Sequence, residues 1–148
     1  AVVYWDFKVV RKKTYKELNE ESNRVADMLM SLGVRKGDKV ALMFYNSPEF
    51  IESYFGAIKI GAVAVPINYR LSAREIAYQI DWADSKVVIY DGEFGKVMEE
   101  VKSELKKVTH WICFGEENPP DTLNYEKLKA TLLHSYHKPR LTWLGGSV

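Results

Sequence analysis

The chain has 148 residues, 47% of them hydrophobic and 28% charged, with a formal net charge of +1. That length suits about one domain, able to bury roughly 70% of the surface its unfolded form exposes, and the composition excludes a disordered polypeptide. The near-neutral balance gives no electrostatic footprint for nucleic acid, and no apolar run reaches the roughly 18 residues needed to span a bilayer.

Residues 2–10 are rich in Val, Tyr, Trp and Phe, with Asp6 and Lys8 in alternation, which predicts a half-exposed strand or hairpin at a sheet edge. Because the chain opens inside that strand, a further N-terminal piece is expected before it. Arg11-Lys12-Lys13 reads as a solvated strand end. Thr14 with Glu17 forms a capping-box pattern that starts a helix, and Leu18, Ser22, Val25, Ala26, Leu29 and Leu32 share its inner face. Gly33 ends that helix. Asp38 to Phe44 is a nearly continuous apolar run, the mark of a parallel strand covered on both faces. Ser47 and Pro48 then cap a helix reaching Ile60. Phe50, Ile51, Tyr54, Phe55 and Ile58 form its apolar stripe, expected to be buried on most sides, while Gly56 allows a close contact with a neighbouring element.

Ile58 to Leu71 is the stretch around which the chain is organised. The helix should end at Gly61, a short buried strand should run through Val65, and Pro66 should stop the ladder and turn Asn68, Tyr69 and Arg70 outward. Ser72 and Glu75 repeat the capping box and open a helix to Trp82. Lys86 to Tyr90 predicts another strand, Phe94 to Leu105 a helix with Phe94, Val97, Met98, Val101 and Leu105 inward, and Val108 to Phe114 a further strand. A proline-stiffened loop, Glu116 to Asp121, precedes a last short helix from Tyr125. Strands alternating with helices imply an α/β fold, a mostly parallel sheet with helices on both faces and ligands met at the C-terminal strand tips. Residues 1–132 form that α/β unit, and residues 133–148, where periodicity fades, form an irregular tail.

Two stretches carry a resemblance. Thr14-Tyr15-Lys16-Glu17-Leu18 resembles the first signature motif of the adenylate-forming (AMP-binding) enzymes, Leu-Thr-Tyr-x-Glu-Leu, and Ile58 to Asn68 resembles the second, Leu-Lys-Ala-Gly-x-Ala-Tyr-Val-Pro-Leu-Asp. Asn68-Tyr69-Arg70-Leu71-Ser72, followed by Glu75-Ile76-Ala77-Tyr78, is most similar to the acyl-CoA synthetase or fatty-acid CoA ligase branch, although Tyr69 stands where that branch commonly has proline. The resemblance covers roughly the first 130 residues and implies the N-terminal subdomain of the adenylate-forming fold. It further implies that the full-length enzyme uses ATP, magnesium and CoA to turn a medium- or long-chain fatty acid into its thioester.

The chemistry of that reaction is not written in this chain. The family holds ATP phosphates with a loop of the form Tyr-Thr-Ser-Gly-Thr-Thr-Gly-x-Pro-Lys-Gly, and Gly145-Gly146-Ser147 lacks its threonines and lysine. No catalytic residue is therefore expected here, and no bound cofactor for the chain by itself. By resemblance, the loops bearing Asn68, Tyr69, Arg70 and Lys96 belong to the surface that receives the CoA nucleotide, with Arg70 as a forked phosphate donor. The alternative is that Asn68 caps its own turn and Arg70 pairs with a carboxylate to hold the loop. His134 and His137 have no spaced partners for a metal, and the carboxylate pairs Glu20-Glu21, Glu99-Glu100 and Glu116-Glu117 read as solvated. Gly33 to Lys39 reads as a helix-to-strand turn. The single cysteine, Cys113, excludes an internal disulfide, fits a cytoplasmic setting and reads as core filler. Expected partners are the remainder of the ligase and, through exposed apolar surface, a second copy of the chain, with neither nucleic acid nor a membrane span.

Overall fold

The hydrogen bonding of Thr14 fixes where the first helix begins. Its hydroxyl accepts the Glu17 N–H at 3.1 Å while the Glu17 carboxylate accepts the Thr14 N–H at 3.2 Å, so the capping box closes and α1 runs Tyr15–Ser31. Ser47 caps α2 (Pro48–Lys59), whose first turn holds Pro48. That helix ends as its sequence predicts, with Gly61 at a φ of +77° and its N–H bonded to Ile58. The reciprocal pair Ser72 and Glu75 starts α3 (Ala73–Trp82). Asp91 caps a 3-10 turn, Gly92–Phe94, that leads into α4 (Gly95–Glu104), and α5 is Tyr125–Thr131. The computed structural model describes residues 2–5, 10–116 and 118–131. The expected tail at 133–148, with His134, His137 and the Gly145-Gly146-Ser147 run, lies outside them.

Among the described residues, seven strands accompany these helices. β1 (Val2–Trp5) and β2 (Val10–Lys13) form an antiparallel hairpin of their own. The main sheet holds β3 (Lys39–Met43), β4 (Val63–Pro66), β5 (Ser85–Asp91), β6 (His110–Phe114) and β7 (Leu123–Asn124), all parallel, in the order β4-β3-β5-β6-β7. From β3 the chain moves outward to β4, crosses back over β3 to β5 and continues the other way. The strand order therefore reverses between β3 and β5, the switch point where doubly wound sheets meet their ligands.

Alternation along the strands divides the core. Val40, Leu42, Phe44, Val87, Ile89 and Ile112 pack with Val25, Met28, Leu29 and Ala57 under α1, α2 and α5. Ala41, Met43, Val88, Tyr90, Trp111 and Cys113 pack with Ile76, Ile80, Met98 and Val101 under α3 and α4. Helices thus cover both faces, as the nearly unbroken apolar strands require. Cys113 is core filler, fully buried.

Four expectations are corrected. The N-terminal residues form the expected hairpin, but it is a sheet of its own and not an edge of the main sheet, where the fifth position is taken by β7, whose two residues are too short for periodicity to reveal. β4 is an edge strand: Val63 is 46% exposed and β3 is its partner among the described residues. Pro66 is the last residue of β4 and not the first beyond it. The N–H groups of Val63 and Ile67 donate to Asp38 and Leu42 of the β3 side, so the intervening Pro66 occupies an outward position whose missing N–H blunts the open edge. The fourth concerns α2, whose buried side chains are Pro48, Glu49, Glu52, Ser53 and Ala57, whereas Phe55 is 49% exposed. Its small residues let α1 approach so closely that a Cβ on Gly56 would stand 2.6 Å from Val25 Cβ, and that approach leaves Phe55 outside while Phe50 and Tyr54 pack half-buried against the core.

Candidate functional site

The switch point brings three aromatic rings together at the C-terminal strand tips. Tyr45 follows β3, Tyr69 follows β4 and Phe94 closes the turn after β5. Tyr45 lies 4.7 Å from both Tyr69 and Phe94 between ring centroids, and Tyr69 stacks on Phe94 at 5.5 Å and 25°. Such geometries use the positive ring edges against the negative faces. The half-buried Tyr69 ring therefore seals the apolar core below the loop that carries it.

Around the rings sit opposite charges that do not neutralise one another. Asn68 closes an Asx turn, its Oδ1 accepting the Arg70 N–H at 2.9 Å, so the turn-capping alternative for Asn68 is the observed geometry. Arg70 is exposed, and its guanidinium carbon lies 5.8 Å from the Tyr69 ring centroid, a cation–π contact rather than the carboxylate pairing that was the other alternative. Among the described residues Arg70 makes no ion pair. Lys96 is exposed on the first turn of α4, two residues past Phe94. On the same rim Asp91 accepts the Glu93 N–H at 3.0 Å, yet burial pushes its carboxyl above the ordinary range, with Glu93 and Glu49 adding to the rise. Tyr45 is pushed up as well, chiefly by burial and then by Glu93 and Asp91. Of the four predicted residues, Asn68, Tyr69 and Arg70 thus lie on the loop after the edge strand β4, and Lys96 lies on the first turn of α4, just past the turn that follows β5. Sequence reasoning missed Tyr45, Phe94 and Asp91 as their companions, although all three fall within strand tips that the sequence does mark.

A second cluster of charge lies where α1, α2, α5 and β2 meet, and its members are satisfied by one another. Glu52 is fully buried. Its Oε1 pairs with Lys13, while its Oε2 accepts the Tyr125 hydroxyl at 3.0 Å and the Lys129 ammonium at 3.2 Å. Lys129, itself buried, also bonds Glu21 at 2.6 Å, and Arg24 bonds the other Glu21 oxygen at 2.7 Å. Ser53 donates to the Tyr125 hydroxyl at 3.2 Å. Burial works against the Lys129 charge, but Glu52 and Glu21 outweigh it and raise its pKa. Burial likewise opposes ionised Glu21, and the Lys129 bond overcomes it, leaving the carboxyl lowered. Lys13 and Glu21, read as solvated in the sequence, are members of this lock. The signal that could have found it is the face shared by Glu52 with Ser53, Gly56 and Ala57, where small residues mark the side of α2 that another helix must approach. Every charge here is spent on holding elements together, so the cluster is a structural junction without a nucleophile or an acid to spare.

Among the described residues no group of three or more His, Cys, Asp or Glu is placed to hold a metal ion, and no helix is long and apolar enough to cross a membrane.

Comparison with known proteins agrees with the fold and with both motifs. The sequence profile of the AMP-binding enzyme family matches residues 1–140. Crotonobetaine/carnitine–CoA ligase of Salmonella paratyphi B is 41% identical over 114 residues, which are 76% of this chain and 22% of that protein. Long-chain-fatty-acid–CoA ligase FadD13 of Mycobacterium tuberculosis is 44% identical over 104 residues, 68% of this chain and 21% of that one. The anthranilate CoA ligase AuaEII, solved with anthranoyl-AMP, superposes with a TM-score of 0.80 at 31% identity over 82% of this chain and 24% of its own. The N-terminal domain of FACL13 from Mycobacterium tuberculosis gives 0.73 at 36% identity, over 87% and 31%. The chain spans about a fifth of the length of these curated relatives. With the family profile running through both capped motifs and the whole doubly wound sheet, the chain belongs to the AMP-binding enzyme family.

Proposed function

We propose that this chain is the N-terminal scaffold of an AMP-forming acyl-CoA synthetase acting on a medium- or long-chain fatty acid. The whole enzyme would join acid and ATP into an acyl-adenylate and then pass the acyl group to CoA. The observation that carries this reading is the family match over residues 1–140, together with CoA-ligase relatives above 40% identity. ATP and magnesium would be held by parts of such an enzyme that this chain does not supply, because it has neither the Thr/Ser/Gly-rich phosphate loop nor a placed set of metal-ligating side chains among its described residues. A cytoplasmic setting belongs to the same reading, supported by a single cysteine. The test is pyrophosphate release by the purified chain with ATP, magnesium and a fatty acid. No release is expected, and turnover overturns the assignment.

Within that scaffold, Asn68, Tyr69, Arg70 and Lys96 form the CoA-facing rim. Arg70 and Lys96 offer two exposed cations to the CoA phosphates, and the Asx turn at Asn68 holds Arg70 beside Tyr69. A second reading, a free-standing α/β module that binds CoA or a nucleotide, draws on the same exposed cations at a switch point. Calorimetry with CoA separates the two: micromolar affinity supports the module, and no heat supports a scaffold that needs its remaining parts. The remainder of the ligase is the partner proposed for the outward side of α2 and the open edge of β4, where Phe55 and Val63 are about half exposed. Without that partner the chain should pair with itself through this surface, and light scattering should show a dimer or larger species.

A further inference from the structure

The opposite end of the sheet carries a surface that the proposed function does not use. Helix α3 ends there, and Tyr78 and Trp82, one turn apart on its outward side, are 66% and 77% exposed, the latter more than any other large hydrophobic side chain among the described residues. Their rings stack at 6.3 Å and 17°, so the pair stands as one aromatic plate in water. The loops that precede β3, β5 and β6 share this end, because the strands are parallel, and Lys107 ties the last of them to Asp81 of α3. Their carboxylates are already engaged. Asp38 pairs with Lys86 at 3.2 Å, and Lys107 bridges Asp84 at 2.9 Å and Asp81 at 3.4 Å. Arg35, Lys36 and Lys106 are exposed and have no ion-pair partner among the described residues, against a single unpaired carboxylate, Glu104.

We propose that this end of the molecule docks on an anionic lipid bilayer, with Trp82 and Tyr78 seated at the headgroup level and Arg35, Lys36 and Lys106 facing lipid phosphates. The chemistry matches on both counts. Tryptophan and tyrosine, apolar bodies with a polar edge, favour the membrane–water boundary, and unpaired surface cations are drawn to a negatively charged leaflet. A single-stranded nucleic acid is the rival anion. It needs a positively charged groove that tracks its backbone beside the stacking rings, and a net charge of +1 gives no electrostatic footprint for one. The inference is independent of the acyl-CoA reading, because it rests on the face of α3 and not on the strand tips.

Flotation of the purified chain with vesicles tests it. With equal parts phosphatidylglycerol and phosphatidylcholine the chain should float, and with phosphatidylcholine alone it should stay behind. Trp82→Ser and Tyr78→Ser should each weaken flotation about tenfold, as should the pair Lys36→Glu and Lys106→Glu, and added salt should do the same to the parent. These side chains are exposed, so an unchanged circular dichroism spectrum should accompany each loss. Failure to float with the anionic vesicles overturns the proposal. So does a Trp82→Ser chain that floats like the parent, or an oligothymidine that binds the chain through Trp82.

Discussion

The strand tips and the charged junction are built from the same materials, aromatic rings, carboxylates and cations, and put them to opposite use. At the junction Glu52 and Lys129 are buried and each contacts more than one partner of opposite or complementary character. At the tips Asp91 is half-buried with a main-chain N–H and neighbouring carboxylates, while Arg70 lies against a ring and Lys96 against solvent. The carboxyl pKa values record the contrast: Glu21 is lowered by Lys129 in spite of burial, and Asp91 is raised by burial. Ionisation therefore strengthens the fold at the junction and strains it at the tips. A site that keeps uncompensated charge at the expense of stability is available to a ligand, and one that consumes its charge internally is not.

Breaking the junction should have the largest effect. Glu52→Ala leaves Lys129 and the Tyr125 hydroxyl buried without their shared acceptor, and removal of one member of a buried pair costs about 3–5 kcal/mol. Urea unfolding should show a midpoint lowered accordingly, and a loss below about 1 kcal/mol would mean that the junction is an ornament of the packing. Gly56→Ala should come next. The added methyl gains helix propensity of about 1 kcal/mol, but it collides with stiff, β-branched Val25 and lies 3.0 Å from the Ser22 carbonyl oxygen. Overpacking of about 1–3 kcal/mol should win, so the same unfolding measurement should show net destabilisation.

Tyr69→Ala probes the other side of the contrast. It removes two ring contacts from the tips and the platform beneath Arg70, but the side chain is only half-buried, so the cost should be about 1–2 kcal/mol. If CoA binds the chain, the same variant should also weaken CoA affinity in calorimetry. Glu52→Ala should leave the affinity of the folded fraction unchanged.

Legibility in the sequence depends on which forces are local. Helix starts at Thr14, Ser47 and Ser72 and the stop at Gly61 are set by residues within a turn of each other, and all four stand where the sequence puts them. The loop that bears Asn68, Tyr69 and Arg70 and the turn that leads into α4 and Lys96 stand at the tips, as expected, because strand ends follow from apolar runs. Contacts formed across the fold were not readable. Lys13 and Glu52 stand 39 residues apart, and Glu52 and Lys129 stand 77 apart. A stripe of Phe and Ile on α2 outweighs Ser53, Gly56 and Ala57 in any count of hydrophobicity, yet the smaller residues decide which side faces α1, because only they allow the approach to Val25. β7 was missed because two residues cannot display a period.

The pH dependence of stability should separate the two places by sign. Glu21 has a folded pKa below its ordinary 4.5, so it contributes stability that is present above that value and lost as pH falls through the lowered one. Lys129 has a folded pKa above its ordinary 10.5, so its contribution is present below 10.5 and lost as pH rises past the raised value. Asp91 runs the other way: its folded pKa lies above its ordinary 3.8, so the native state holds the proton more tightly and stability falls as pH rises through that interval. Asp91→Asn keeps a side-chain oxygen to cap Glu93 and removes the strained charge, and it should stabilise the chain at neutral pH by less than about 1 kcal/mol. At a pH below both Asp91 values the gain should vanish, since the aspartic acid is then neutral in the folded and unfolded chain alike. A variant equally stabilised at both pH values would show that its effect comes from shape, and the assignment of strain to the Asp91 charge would be lost.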